Sequence, residues 1–369
     1  MKILLFYHSL LSDWNHGNAH FLRGIATELI NRGHNVQVFE PENGWSLSNL
    51  KKDYGNKAVE EFYKYYPQLE TNFYNHDNFN YEQALKDADL VIVHEWNEQK
   101  VVSRLGKEKS RLGYKLLFHD THHRIISDKE AMAAYDLSQY DGVLAYGEVI
   151  RKIYEQEHKV NKSWTWHEAA DTNIFRPLEK NFEGDLVWVG NWGDEERTEE
   201  LHEFLINPVK SLKLKAKIYG VRYPKKAIEA LENAGIEYGG WLPNYKAPEA
   251  FSKYKVTVHV PRRPYVETLP GIPTIRPFEA LACGIPLISS PWEDTEHLFR
   301  TNQDYLMVKD GAEMKNQLQH LIQNKEARNN IAQNGLETIQ KAHTCKHRVD
   351  ELEAICEEIG LNVFETLNK

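Results

Sequence analysis

At 369 residues, with 41% hydrophobic and 27% charged side chains, the chain is long enough for two ordinary domains, and its composition excludes a disordered polypeptide. A formal net charge of −9 argues against sequence-independent binding to nucleic acid, which needs a basic surface, so no nucleic acid is expected as a partner, while a local basic groove stays open. Three cysteines without paired spacing, Cys283, Cys345 and Cys356, read as reduced thiols of a cytoplasmic protein. The N-terminal apolar run is too short for a signal peptide, and no segment has the length to span a membrane, which leaves peripheral contact with a membrane face open.

In chain order, Lys2–His8 reads as a buried strand, Gly17 and Asn18 as a break, and Ala19–Arg32 as a helix with Phe21, Ile25 and Leu29 on one face. Gly33 stops that helix and Asn35–Glu40 is the next strand, closing a βαβ unit. Trp45–Tyr65 reads as mostly helical and Tyr66–Tyr81 as a loop region rich in Asn and aromatics. Leu90–His94, Lys115–His119 and Gly142–Ala145 are strands, and Glu148–Glu157 is a helix. The pattern restarts with a strand at Leu186–Gly190, a helix over Glu196–Leu205, a strand at Lys215–Tyr219 and a helix over Lys225–Ala234. Val256–Val260 and Pro286–Ser289 are strands around a helix that carries Glu279. Ala312–Asn324, Glu326–Ala342 and Arg348–Ile359 are helices. Strands separated by helices predict two doubly wound α/β domains, 1–177 and 178–345, followed by a C-terminal helical segment, 346–369, placed to pack back on the first. Two such domains in succession predict a cleft lined by the carboxyl ends of their strands.

Five stretches can carry chemistry. His16-Gly-Asn18 lies between a strand and a helix; Gly17 and Asn18 either let a ligand approach the backbone or form a plain tight turn, and the further glycines of a dinucleotide fingerprint are missing. His94-Glu-Trp-Asn97, with Glu95 and Asn97, ends a strand next to His119-Asp-Thr-His-His-Arg124. In the latter, Asp120, His122 and His123 are candidate metal ligands of a metal-dependent hydrolase, or one of His119, His122 and His123 bonds a substrate while Asp120 fixes its tautomer. In Gly190-Asn-Trp-Gly-Asp-Glu-Glu-Arg197, Gly190 and Gly193 free the backbone, and Gly190, Asn191 and Arg197 are candidate donor contacts, with Arg197 reaching a phosphate. The acids Asp194, Glu195 and Glu196 speak against a close bare phosphate and more naturally cap the helix that follows. Pro261–Arg276 is stiffened by four prolines and carries Arg262, Arg263 and Arg276, a diphosphate cradle or a solvated loop. Glu279, in the first turn of the helix that follows, either complements the helix dipole or accepts from sugar hydroxyls beside a bound phosphate.

Taken together these residues resemble the GT-B glycosyltransferases of the glycosyltransferase group 1 family, over nearly the whole chain. The matching elements are the strand, glycine loop and helix ending Arg32-Gly-His34, the segment Asp171-Thr-Asn-Ile-Phe-Arg-Pro177, and above all Phe278-Glu-Ala-Leu-Ala-Cys-Gly-Ile-Pro286. The resemblance implies an acceptor-binding N-terminal and a donor-binding C-terminal Rossmann-like domain. It implies transfer of a sugar from a nucleotide diphosphate-sugar to an unidentified saccharide, lipid-linked or small-molecule acceptor, with retention of configuration. No metal or other cofactor is expected, because helix-start N–H groups, Arg276 and Arg263 or Arg197 can stabilise the leaving diphosphate. Glu279 matches the glutamate that contacts the donor ribose, Pro273, Thr274 and Ile275 match the diphosphate loop, and His122, flanked by His119 and His123, falls where an active-site histidine is found. Gly17, Asn18, Glu95 and Asn97 fall on the acceptor side. The family carries a second glutamate eight positions before the first; here that position is Gly271, Glu267 lies four residues too early, and Glu293 or Asp294 could stand in. A non-catalytic sugar-nucleotide-binding protein of the same fold is the alternative that this departure leaves.

Overall fold

Short apolar runs alternating with amphipathic helices build two sheets whose paired strands are all parallel among the residues described, 1–158 and 160–363, in a computed structural model. Of the segment 346–369, residues 364–369 lie outside the described residues. The chain divides into two units: Met1–Glu168 together with the stretch that begins at Cys345, and Ala169–Thr344.

The first unit holds β1 (Lys2–Phe6), β2 (Asn35–Pro41), β3 (Thr71–Tyr74), β4 (Leu90–His94), β5 (Lys115–Asp120), β6 (Gly142–Ala145) and β7 (Ser163–Thr165), in the order β3-β2-β1-β4-β5-β6-β7. Helices cover both faces of such a sheet, which is why β4 is buried along its whole length. The strand order reverses between β1 and β4, so their carboxyl ends, Phe6 and His94, flank a switch point, the place where open α/β sheets bind ligands. The helix Cys345–Glu358 belongs to this unit and lies beside the helix Ala19–Asn31. Arg32 reaches Glu353 and Asp350, each at 2.7 Å, and the Trp166 indole N–H donates to the Arg348 carbonyl at 2.8 Å.

The second unit holds β8 (Gly184–Val189), β9 (Ala216–Tyr219), β10 (Glu237–Tyr238), β11 (Tyr254–His259), β12 (Leu287–Ser289) and β13 (Leu306–Met307), in the order β10-β9-β8-β11-β12-β13. Its switch point lies between β8 and β11. Its core joins Leu186, Trp188, Val256, Val258 and Ile288 from the sheet to Leu205, Leu231 and Leu318 from the helices.

Three local expectations change. The stretch Tyr66–Tyr81 contains β3, which pairs Val38 with Thr71; alternating Asn and aromatic residues hid a sheet-edge strand behind loop-like composition. The helix expected over Glu196–Leu205 is a 3₁₀ turn at Asp194–Glu196, an α-turn at Thr198–Leu201, a π-turn at His202–Ile206 and a last α segment at Asn207–Leu212. Pro208 has no N–H for the Phe204 carbonyl, and the wider turn just before it accommodates that loss. The proline-rich loop is partly helical, at Arg263–Glu267. Among the described residues no helix is long and apolar enough to cross a membrane.

Candidate active site

In the second unit the polar residues gather where β8, β11 and β12 end. Gly190 follows β8, and a Cβ there would stand 2.7 Å from the Trp188 ring, so the chain passes only as bare backbone. Asn191 accepts from the Val221 N–H through Oδ1 at 2.9 Å. Arg197 spans the two strand ends: Nη2 donates to the Asn191 carbonyl at 2.5 Å, Nε to the Trp192 carbonyl at 3.3 Å, and Nη1 to the Val260 carbonyl at 2.7 Å. Burial, with the Arg262 cation nearby, pushes its pKa down to about 9. Arg197 is thus first a clamp on backbone carbonyls, with its charge left at the switch point.

His259, the last residue of β11, pairs in register with Ser289 of β12. Its Nδ1 lies 3.0 Å from Ser289 Oγ and its Nε2 3.2 Å from Thr274 Oγ1. Burial, reinforced by the cations of Arg197 and Arg276, lowers its pKa to about 3, so the ring is neutral and offers one donor and one acceptor. Thr274 sits at the N-cap of the helix Ile275–Ala282, but no side chain caps that helix, because the Thr274 hydroxyl is turned to His259. The first-turn N–H groups, which have no partner within a helix, therefore open beside the end of β11. Pro273 and Ile275 are buried on either side of Thr274. One turn on, Glu279 is completely buried and accepts from Arg276 Nη1.

The locally basic loop is neutralised by acids distant in sequence. Arg262 meets Glu196 at 2.7 Å, and Arg263 is held by both oxygens of Glu200, at 2.7 and 3.3 Å. This ion pair is the partner that the fold gives Arg263. Gly271 has φ +92°, and its N–H donates to the Glu293 carbonyl at 2.7 Å. Asp294 accepts from the Leu298 and Phe299 N–H groups at 3.1 and 2.7 Å, which makes it the anchor of its own loop.

In the first unit, β4 and β5 pair His94 with His119. His119 packs its ring 4.8 Å from Trp166 and 6.0 Å from Phe21, and burial lowers its pKa to about 3. Asp120 accepts from the His122 N–H at 3.0 Å and the Tyr154 hydroxyl at 2.7 Å; burial raises its pKa to about 6. The His122 ring lies 5.1 Å from Trp96, and His123 Nδ1 lies 2.8 Å from Ser127 Oγ. These side chains point to different partners and do not form one ligand set, and among the described residues no group of three His, Cys, Asp or Glu side chains is placed to hold a metal ion.

Gly17 is exposed, and Asn18 Nδ2 donates to the Thr121 carbonyl at 2.9 Å, tying the loop after β1 to that after β5. Glu95 is completely buried against Arg124 at 3.2 Å, and burial, with Asp120 close by, holds its carboxyl well above the usual range. Asn97 donates to the carbonyls of Phe6 and His94, at 2.7 and 2.8 Å, and accepts from Tyr74 at 3.0 Å, so it locks the switch point and has little left for a ligand.

Sequence reasoning missed His259 and Ser289. Their signal is a polar residue at the end of each of two adjacent apolar strands, which periodicity alone treats as fraying.

Two parallel Rossmann-like sheets of this order define the GT-B fold. Over 97% of this chain and 99% of theirs, the sucrose-phosphate synthase of Thermosynechococcus elongatus superposes with a TM-score of 0.66 at 13% identity. HepE of Anabaena, solved with UDP and glucose, covers 97% of this chain and 100% of its own at 0.66 and 14%. T4 phage BGT, solved with UDP and Mn2+, covers 98% and 100% at 0.62 and 15%. No curated protein sequence matches. Residues 197–354 match the model of the family described as glycosyl transferase-like, and that stretch contains Arg197, His259, Thr274 and Glu279. The chain has the GT-B fold, and its residues 197–354 are similar to the glycosyl transferase-like family.

Proposed function

We propose that the second unit holds a nucleotide diphosphate-sugar and that the chain transfers its sugar, with retention and without a metal, to an acceptor bound by the first unit. The observation that carries this reading is the uncapped start of Ile275–Ala282 beside the buried Glu279 at the end of β11. Anions suit such a helix start, and a buried carboxylate one turn on suits ribose hydroxyls. On this reading the ribose competes with Arg276 for Glu279, and the guanidinium so released turns to the diphosphate as negative charge grows on it. Arg197, already a cation at the switch point, adds to that field. His122 serves the transferred sugar or the acceptor hydroxyl from the first unit. UDP-sugars are the favoured donors, because HepE and BGT were solved with UDP. The buried thiols Cys283 and Cys356 suit a reducing, cytoplasmic setting.

A thermal-shift panel of nucleotides and nucleotide-sugars tests the donor. A ligand at a hundred times its Kd stabilises by about 2.7 kcal/mol, enough to rank the bases. Product analysis in the presence of a chelator tests the metal-free mechanism: transfer abolished by chelation and restored by a divalent cation would end that part of the reading.

A further inference from the structure

Two partly exposed tryptophans of the first unit stand at its switch point. Trp45, at the start of the helix Trp45–Tyr54, is 46% exposed, and Trp96, in the loop after β4, is 39% exposed. Between them lies His8, in the loop after β1, its ring centroid 6.3 Å from Trp45 and 6.1 Å from Trp96. His16 is 5.2 Å further on, and its Nε2 is buried without a hydrogen-bond partner. Large aromatic side chains at a sheet's carboxyl end that leave this much ring in water, next to an unsatisfied polar atom, describe a site rather than a core.

We propose that Trp45 and Trp96 form the platform for a saccharide acceptor, with His8 and His16 bonding its hydroxyls. This rests on the transferase reading above and names the acceptor class that reading leaves open. A pyranose presents a face of C–H groups that packs on an indole and an edge of hydroxyls that both donate and accept. A neutral imidazole does the same with its two nitrogens. Burial lowers the pKa of both rings, that of His8 to about 4, so they are neutral in the physiological range. A nucleic-acid strand also stacks on aromatics, but it requires cations along the backbone path. Here the rings between the tryptophans are uncharged, the Arg124 guanidinium over Trp96 is hydrogen-bonded to the buried Glu95 and one cation is no backbone-length track, and the chain carries −9 overall.

The test uses the full chain with UDP present and a panel of methyl pyranosides and disaccharides, followed by saturation-transfer NMR. At least one saccharide should bind through its C–H protons, with its affinity lowered about tenfold in Trp45→Ala and in Trp96→Ala, the loss of one stacking contact. Trp45→Phe should recover most of that affinity. Phe73→Ala, at a 44% exposed ring outside this cluster, should change neither saccharide nor UDP binding. Saccharide binding unaffected by either tryptophan change, binding of a single-stranded oligonucleotide instead, or UDP binding with no saccharide bound would each overturn the proposal. Saccharide bound through the tryptophans in a chain that binds no nucleotide would uphold the platform and overturn the donor reading.

Discussion

Thr295 fills the space into which a side chain at Gly271 would project: a Cβ there would stand 2.3 Å from the Thr295 hydroxyl oxygen, with Glu296 at 3.3 Å. The position of the family's other glutamate is therefore closed in this chain by backbone geometry as well as by neighbours. With φ at +92°, any side chain adds strain of about 1–3 kcal/mol before the clash is counted. Gly271→Glu is expected to lower stability in chemical denaturation by at least that amount and to leave turnover no higher. A stable and more active variant would show that the loop opens easily and that the missing carboxylate limits the enzyme.

Arg197 joins three carbonyls from the ends of two strands. Removing the donor leaves three backbone acceptors without it, so Arg197→Ala should destabilise by about 3 kcal/mol. Arg197→Lys, which keeps the charge but not the fork, should recover little of the stability. Equilibrium denaturation separates the two contributions.

Much of this architecture is readable without coordinates. Val, Ile and Leu runs such as Leu90–His94 sit at strand length between turn residues, and buried parallel strands admit few other readings. What escaped depends on partners far along the chain. Arg262 and Arg263 read as free cations until the fold brings Glu196 and Glu200 to them across more than sixty residues. Glu95 and Asn97 read as ligand contacts because strand ends face crevices, yet one is buried in a hydrogen bond from Arg124 and the other is a backbone lock. His259 was invisible because its role needs Ser289 on the neighbouring strand and Thr274 from a loop. The motif around Glu279 stood out because helix start, carboxylate and glycine stop all lie within a dozen residues.

Stability should fall in mild acid. His119 and His259 have folded pKa values lowered from 6.5 to about 3, so between those limits the unfolded chain binds more protons than the folded one. Their contribution is fully present above pH 6.5 and is lost as pH drops towards 3, at up to about 1.4 kcal/mol per pH unit for each ring. Asp120, raised from 3.8 to about 6, opposes part of this loss below pH 6 by binding a proton in the folded state. His119→Phe, among the rings of Phe21 and Trp166, should flatten the profile by about one proton, measured by denaturation at a series of pH values. A slope unchanged by that substitution would mean that His119 titrates normally.

His122→Ala should lower turnover while leaving nucleotide affinity within about twofold, since the residue lies in the first unit and the donor is proposed to bind the second. Steady-state kinetics with a calorimetric Kd distinguishes the two effects; loss of nucleotide affinity would assign His122 to the donor instead.

The central claim is that Glu279 receives the donor ribose at the open start of Ile275–Ala282. Calorimetric titration of UDP into the parent chain and into Glu279→Ala tests it most directly. The account predicts binding to the parent and a loss of about 2–3 kcal/mol in the variant, the scale of hydrogen bonds to a charged group. Equal affinity in the two proteins would contradict it.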